Sequence, residues 1–222
     1  MKRLEREVLA PNELAKMRSK CNNTLEVAIF EFLRSTGCRV HELVAVLRED
    51  LKLEENEVFL RKTKAVVTDR RRSADGSITC ETTMKPRYSV LDDEAVGAIK
   101  RHLKTKEFRP NSKIFDRTTR AIQKMVKRWA KDAGIMQAEL VHPHLFRSTT
   151  STYMLADGTD RKYITESLGW SPTSKIFDKH YNRPPHDVVK DRILAARSKS
   201  KRLRDKRKPT DDKTEGELEG DI

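Results

Sequence analysis

Cysteine is scarce in this sequence, with three residues, Cys21, Cys38 and Cys80, in 222. They are odd in number, widely spaced and form no CxxC, so neither a disulfide framework nor a zinc site is indicated, and a reducing compartment fits. No run approaches 18 apolar residues, and no basic helix carries a strong Trp/Phe/Leu face, which leaves a membrane a poor partner. The start, MKRLEREVLAP, lacks the apolar stretch of a signal peptide. No GxxxxGK[ST] occurs either, so nothing points to a nucleotide-binding phosphate loop. What the chain has in quantity is positive charge. Its 47 Lys and Arg against 34 Asp and Glu give +13, the balance of a protein that neutralises a polyanion, and nucleic acid is the leading partner.

The length suits one sizeable domain with a tail. Helical spacing recurs in Leu25, Ile29, Phe32 and Leu33, and again in Val40, Leu43, Val44 and Leu47 after a break at Thr36-Gly37-Cys38. The runs Glu57 to Arg61 and Arg87 to Leu91 read as strands. Between them lies a polar, hairpin-like excursion containing Arg70-Arg71-Arg72 and Lys85, a solvated projection suited to lie along a phosphate backbone. Asp92 is placed to cap a helix through Val96, Ile99 and Leu103, and Thr118 or Thr119 to cap one through Ile122, Val126 and Trp129 that ends at Gly134. Pro143 fits the first turn of a helix reaching Leu155, Asp160 caps a short one ending at Gly169, and Ser171-Pro172 opens another reaching Tyr181. After Pro184-Pro185, residues 187–196 read as an amphipathic helix through Val189 and Ile193. A basic stretch from Arg197 to Lys208 and an acidic one from Asp211 to Asp221 then hold too little apolar surface to fold alone and read as disordered. The expected organisation is a domain over 1–196 and a charged tail over 197–222, with an α+β, mainly α-helical fold and a small antiparallel sheet near residues 57–91.

Arg39 stands where a helix begins, and a cation there opposes the macrodipole unless an anion is shared, which asks for a phosphate. His144 and Arg147 follow Pro143 in the same way. At this point the order of the motifs becomes informative. STGCRVHEL resembles the first arginine motif of the tyrosine recombinases, or phage integrases; HPHLFRS resembles their HxxR motif; LGW followed by HY resembles their terminal segment. AIQKMVKRWAKDAGI and the strand pair with Lys64 are similar too, so the resemblance spans residues 11–184, and WSPTSK is closest to archaeal integrases.

That resemblance implies catalytic roles for Arg39, Lys64, His144, Arg147, Trp170 and Tyr181. Lys64 would be the hairpin lysine, with Lys62 and Lys85 as alternatives in the same region. Trp170 would stand at the position of the second histidine, and Glu42, one turn after Arg39, would pin a catalytic side chain. His142 and His180 read as structural or solvent-facing. The residue types suit phosphodiester transfer. A phosphorane-like state gains charge on its non-bridging oxygens, and two always-charged guanidinium forks stabilise it increasingly as that charge develops. A tyrosine phenol, ordinarily titrating near about 10, needs a base such as His144 to become a nucleophile. Lys64 would protonate the leaving 5′ oxygen, and the Trp170 indole N–H would reach the phosphate.

The family implies site-specific recombination of duplex DNA by a homo-oligomer, a tetramer on DNA, without metal, ATP or other cofactor, in the cytoplasm and nucleoid of a prokaryotic host. Integration of a mobile or viral element is the implied setting. A type IB topoisomerase-like relaxing enzyme shares the chemistry, and a DNA-binding regulator that keeps the fold without cutting is the non-enzymatic alternative. Three departures stand out: Trp170 and Tyr181 are eleven residues apart, wider than usual; Arg39 lies near the start, where the family commonly has a DNA-clamping domain ahead of it; and Ser148 follows Arg147 where histidine is common.

Overall fold

The computed structural model describes residues 8–61, 86–170 and 190, together with the backbone of 65–72 and 78–84. The chain divides into two compact units, Met1–Pro184 and Pro185–Ile222; in the second only Lys190, in helical conformation, is described. The sequence boundary at 196/197 and the expected helices over 172–181 and 187–196 therefore lie outside the described residues, save for Lys190.

Helix α1 (Pro11–Arg18) opens with proline at its first turn, where the missing N–H costs nothing. Helix α2 (Thr24–Thr36) is capped by Asn23, whose side chain accepts from the Glu26 N–H at 3.0 Å. It ends at Gly37 in the left-handed conformation, φ 54°. Ala28, Ile29, Phe30, Phe32 and Leu33 are all buried, so α2 is the central rod of the core rather than an amphipathic surface helix.

After Gly37 the structure departs from the sequence reading. The expected helix from Val40 to Leu47 is only α3 (Val40–Leu43), followed by a turn and a 3₁₀ segment, Arg48–Asp50. The physical reason is tertiary. Residues 46–48 pair with 112–114, through Ile114 N–H to Val46 O at 3.1 Å, Arg48 N–H to Ser112 O at 2.9 Å and a bridge between Leu47 and Lys113. Those bonds take the backbone groups a longer helix needs.

Strands β1 (Leu51–Lys52), β2 (Glu57–Leu60) and β5 (Arg87–Val90) form a three-stranded antiparallel sheet in the order β1-β2-β5, with Glu57 opposite Val90 and Leu60 opposite Arg87. Between β2 and β5, strands β3 (Ala65–Arg72) and β4 (Ile78–Met84) make a separate two-stranded antiparallel ribbon with an irregularity between Val67 and Asp69. This is the excursion expected from sequence.

Helix α4 (Asp93–Leu103) is capped by Asp92 and α5 (Thr119–Asp132) by Thr118, with Gly134 left-handed just beyond α5. Helices α6 (Pro143–Ala156) and α7 (Arg161–Leu168) follow, the latter capped by Asp160 and closed by left-handed Gly169. Phe30 meets Trp129 of α5 and Phe146 of α6 edge-to-face, at 5.8 and 5.3 Å, and the Trp129 indole N–H donates to the buried Glu26 at 3.0 Å. These contacts lock α5 and α6 onto α2, and truncating Trp129 to alanine is expected to cost roughly 3–5 kcal/mol. The fold is thus mainly helical with a small antiparallel sheet. Among the described residues no helix is long and apolar enough to cross a membrane.

Candidate active site

Two helix ends and one strand end define the site: the turn after α2, the end of α7 and the start of β5. Arg39 is the residue before α3, and the Glu42 carboxylate accepts from its backbone N–H at 2.8 Å and from its Nη1 at 2.9 Å. The anion that the start of this helix asks for is therefore supplied by the protein. At four residues α3 is also too short for its macrodipole to carry the argument.

Glu42 is 1 % exposed and has a second cationic partner that sequence reading missed. Arg87, at the start of β5, grips it side-on, Nη1 to Oε1 and Nη2 to Oε2, both at 2.9 Å. Burial alone would raise the Glu42 carboxyl, but hydrogen bonds and charge from Arg87, and then from Arg39, hold it down at about 2. A signal for Arg87 was present in RYSV. With side chains alternating across the sheet, the apolar Tyr88 and Val90 face solvent while Arg87 and Ser89 point inward, the reverse of the usual pattern for a half-buried strand.

Arg147 is fully buried in α6. Its guanidinium does not emerge at the helix start as expected. Instead Nη1 donates to Gly37 O at 3.0 Å and Nη2 to Leu168 O. These are carbonyls at the C-terminal ends of α2 and α7, where unpaired lone pairs and the negative dipole ends of both helices favour a cation. Gly37 makes the approach possible: a Cβ there would lie 2.8 Å from Leu168 Cδ2 and 3.2 Å from Thr150 Cβ. Trp170 follows directly after α7, its N–H bonded to Thr165 O at 2.8 Å, and its ring lies 4.4 Å from the Arg147 Cζ in a cation–π contact. Cys38, between Gly37 and Arg39, is buried, and desolvation pushes its thiol up to about 12, so it stands protonated and inert.

His144 is exposed in the first turn of α6, its ring stacked on that of His142 at 6.3 Å between centroids. Desolvation, and then the charge of Lys127, lower the His142 value and favour its neutral form. Lys64 and Tyr181, with Lys62, Lys85 and His180, lie outside the described residues. The structure thus joins Arg39 to Glu42 and Arg147 to Trp170, and it brings the two pairs close along the chain at Gly37 to Arg39. Among the described residues no group of three or more His, Cys, Asp or Glu is placed to hold a metal ion.

Comparison with known proteins matches residues 7–186 to the model of the phage integrase family. Tyrosine recombinase XerA of Saccharolobus solfataricus is 26 % identical over 169 residues, covering 76 % of this chain and 50 % of its own length. Tyrosine recombinase XerC of Bacillus pumilus is 30 % identical over 156 residues, covering 66 % and 46 %. The chain spans about half the length of these curated relatives. In fold it is similar to a crystal structure of XerA recombinase, with a TM-score of 0.68 at 23 % identity, covering 89 % of this chain and 65 % of that one. The Tn1549 transposon integrase in complex with a circular intermediate DNA gives 0.57 at 16 % identity, covering 90 % and 67 %.

Proposed function

Because the chain belongs to the phage integrase family, we propose that it is a site-specific recombinase that cuts and rejoins duplex DNA through a phosphotyrosyl bond to Tyr181. The observation that carries this reading is that half-buried Arg39 and buried Arg147 are both anchored at the Gly37–Glu42 turn, Arg39 by the Glu42 carboxylate and Arg147 by the Gly37 carbonyl. Guanidiniums held in this way supply oriented positive charge once a phosphate reaches them. In the proposed step the Tyr181 phenolate oxygen attacks phosphorus, the P–O5′ bond breaks, and the 3′ phosphate stays on the protein. His144 takes the phenol proton and Lys64 delivers one to the departing 5′ oxygen. Arg39, Arg147 and the Trp170 indole stabilise the equatorial oxygens. Because Arg147 is fully buried here, this role requires DNA binding to uncover its guanidinium. Attack by a 5′ hydroxyl of another strand reverses the chemistry and conserves the bond energy, so neither ATP nor metal is needed.

Strand exchange brings two duplexes together, and the reading therefore includes a homo-oligomer, a tetramer on DNA, working in the cytoplasm. Residues 1–196 would form the catalytic domain and 197–222 a charged tail that adds to duplex affinity. The test uses the full chain and nicked suicide duplexes with randomised cores. Denaturant-stable protein–DNA adducts are expected, with the nucleotide mapped to Tyr181 by peptide mass, and Tyr181→Phe is expected to abolish them while duplex binding persists. Adducts that survive in Tyr181→Phe, or none with the unaltered chain, overturn the reading.

A further inference from the structure

We infer that Arg87 is a positioning residue whose task is to neutralise Glu42 so that Arg39 keeps its positive charge for the scissile phosphate, an inference that rests on the catalytic reading above. A carboxylate has about four lone-pair sites. All four of the Glu42 sites are used: two by the Arg87 fork, one by the Arg39 backbone N–H and one by Arg39 Nη1. Arg39 is thus oriented through a single guanidinium N–H, while the side-on bidentate pairing belongs to Arg87. The side chains differ in access in the same sense, 20 % exposed for Arg39 and 9 % for Arg87. The deeper cation balances the carboxylate and the shallower one can meet a ligand.

Take Arg87 away, and the buried carboxylate retains one cationic partner among these residues. Glu42 would then draw the Arg39 fork onto itself and cancel its charge, because a buried anion is costly unless paired. Together the two guanidiniums and one carboxylate carry +1, which is the charge left for the phosphate. Arg87 also donates from Nε to Ser167 O at 2.8 Å, in the last turn of α7 and three residues before Trp170. Left-handed Gly169 leaves it room, since a Cβ there would fall 2.9 Å from Arg87 Nη1. One side chain therefore ties the sheet, the Arg39 turn and the segment leading to Trp170.

A merely structural ion pair and a charge-positioning device differ in what the double variant recovers: stability in both cases, but the rate of adduct formation by equally folded variants only in the second. On the suicide duplex selected by the unaltered chain, Arg87→Gln is expected to slow adduct formation about tenfold or more at saturating DNA while leaving duplex affinity within about twofold. Glu42→Gln added to Arg87→Gln removes the stranded carboxylate and is expected to recover much of the loss. The rate of Arg87→Gln relative to the unaltered chain should also rise as pH falls, because protonating Glu42 releases Arg39. Arg87→Lys, which keeps charge without the fork, should fall between. A double variant no faster than Arg87→Gln, both being folded by cooperative thermal melting, overturns the inference. Should Arg87→Gln fail to fold, Arg87→Lys and its double variant with Glu42→Gln decide by the same ranking. If the unaltered chain forms no adduct, the catalytic reading falls by itself. The ¹³C titration of the Glu42 carboxyl then decides for Arg87, since a midpoint that does not rise from about 2 on replacing Arg87 overturns its part.

Discussion

At Glu42 the hydrogen bonds and charge of Arg87 and Arg39 outweigh a burial that would raise its carboxyl, and that balance has a stability consequence. The folded value, about 2, lies below the unfolded one, so the stabilisation is complete above the ordinary carboxylate range and is lost as pH falls towards 2. At about 1.4 kcal/mol per unit the full effect is on the order of 3 kcal/mol. Urea unfolding between pH 6 and 3 is expected to show the larger part of this loss setting in, and Glu42→Gln should flatten the profile; Glu26, also held low, contributes in the same direction. Gly37 gives a second prediction. Alanine there must accept a left-handed backbone and a Cβ at 2.8 Å from Leu168 Cδ2, so Gly37→Ala should destabilise by at least about 1–2 kcal/mol in the same assay. Unchanged stability would mean that the junction between α2, α6 and α7 relaxes freely. The thiols offer a third. Cys21 and Cys38 are both pushed up to about 12, chiefly by burial, so iodoacetamide at pH 8 should leave both unlabelled until denaturant is added, as mapped by peptide mass.

Among the elements, α4 shows how a single residue can serve both a helix and its neighbour. Asp92 accepts from the Ala95 N–H at 3.0 Å as the cap of α4, and it pairs with Arg34 of α2 at 2.8 Å. Both side chains of that pair are partly exposed, so solvent screening reduces it to a few tenths of a kcal/mol, whereas a cap is worth about 1 kcal/mol. Asp92→Asn, which keeps the capping oxygen, should therefore cost much less than Asp92→Ala by chemical unfolding. Equal costs would show the ion pair to be the dominant contribution. Element starts and stops of this kind were legible because caps act locally: Asp92, Thr118, Asp160, Gly134 and Gly169 all stand where a helix reader places them. The shortness of α3 was not legible, because the partners of residues 46–48 are some 66 residues away in sequence.

For the molecule as a whole, and on the function proposed above, a net charge of +13 predicts that duplex binding falls steeply with salt, the slope reporting the number of phosphates neutralised. Removing the residues after Lys199 should shallow that slope by taking away a basic cluster, while truncation after Pro185 should impair assembly and strand exchange more than binding. Gel-shift titrations between about 50 and 200 mM salt check the first, and strand-transfer assays the second. A slope unchanged by the shorter truncation would remove the tail from the interface.

The sequence by itself determined the family and the mainly helical fold with its small sheet, and it nominated Arg39, His144 and Arg147 as candidates. Motif order, caps and hydrophobic period are written in residue types at fixed local spacing. Only the tertiary structure decided where the guanidiniums go. Arg147 turns from the start of its own helix to the C-terminal carbonyls of α2 and α7, and Arg87 crosses from the sheet to a carboxylate 45 residues earlier in the chain. A long side chain reaches whichever buried acceptor the packing places within bonding distance. The cost of leaving such an acceptor unsatisfied is fixed by which elements meet, and no local spacing encodes that.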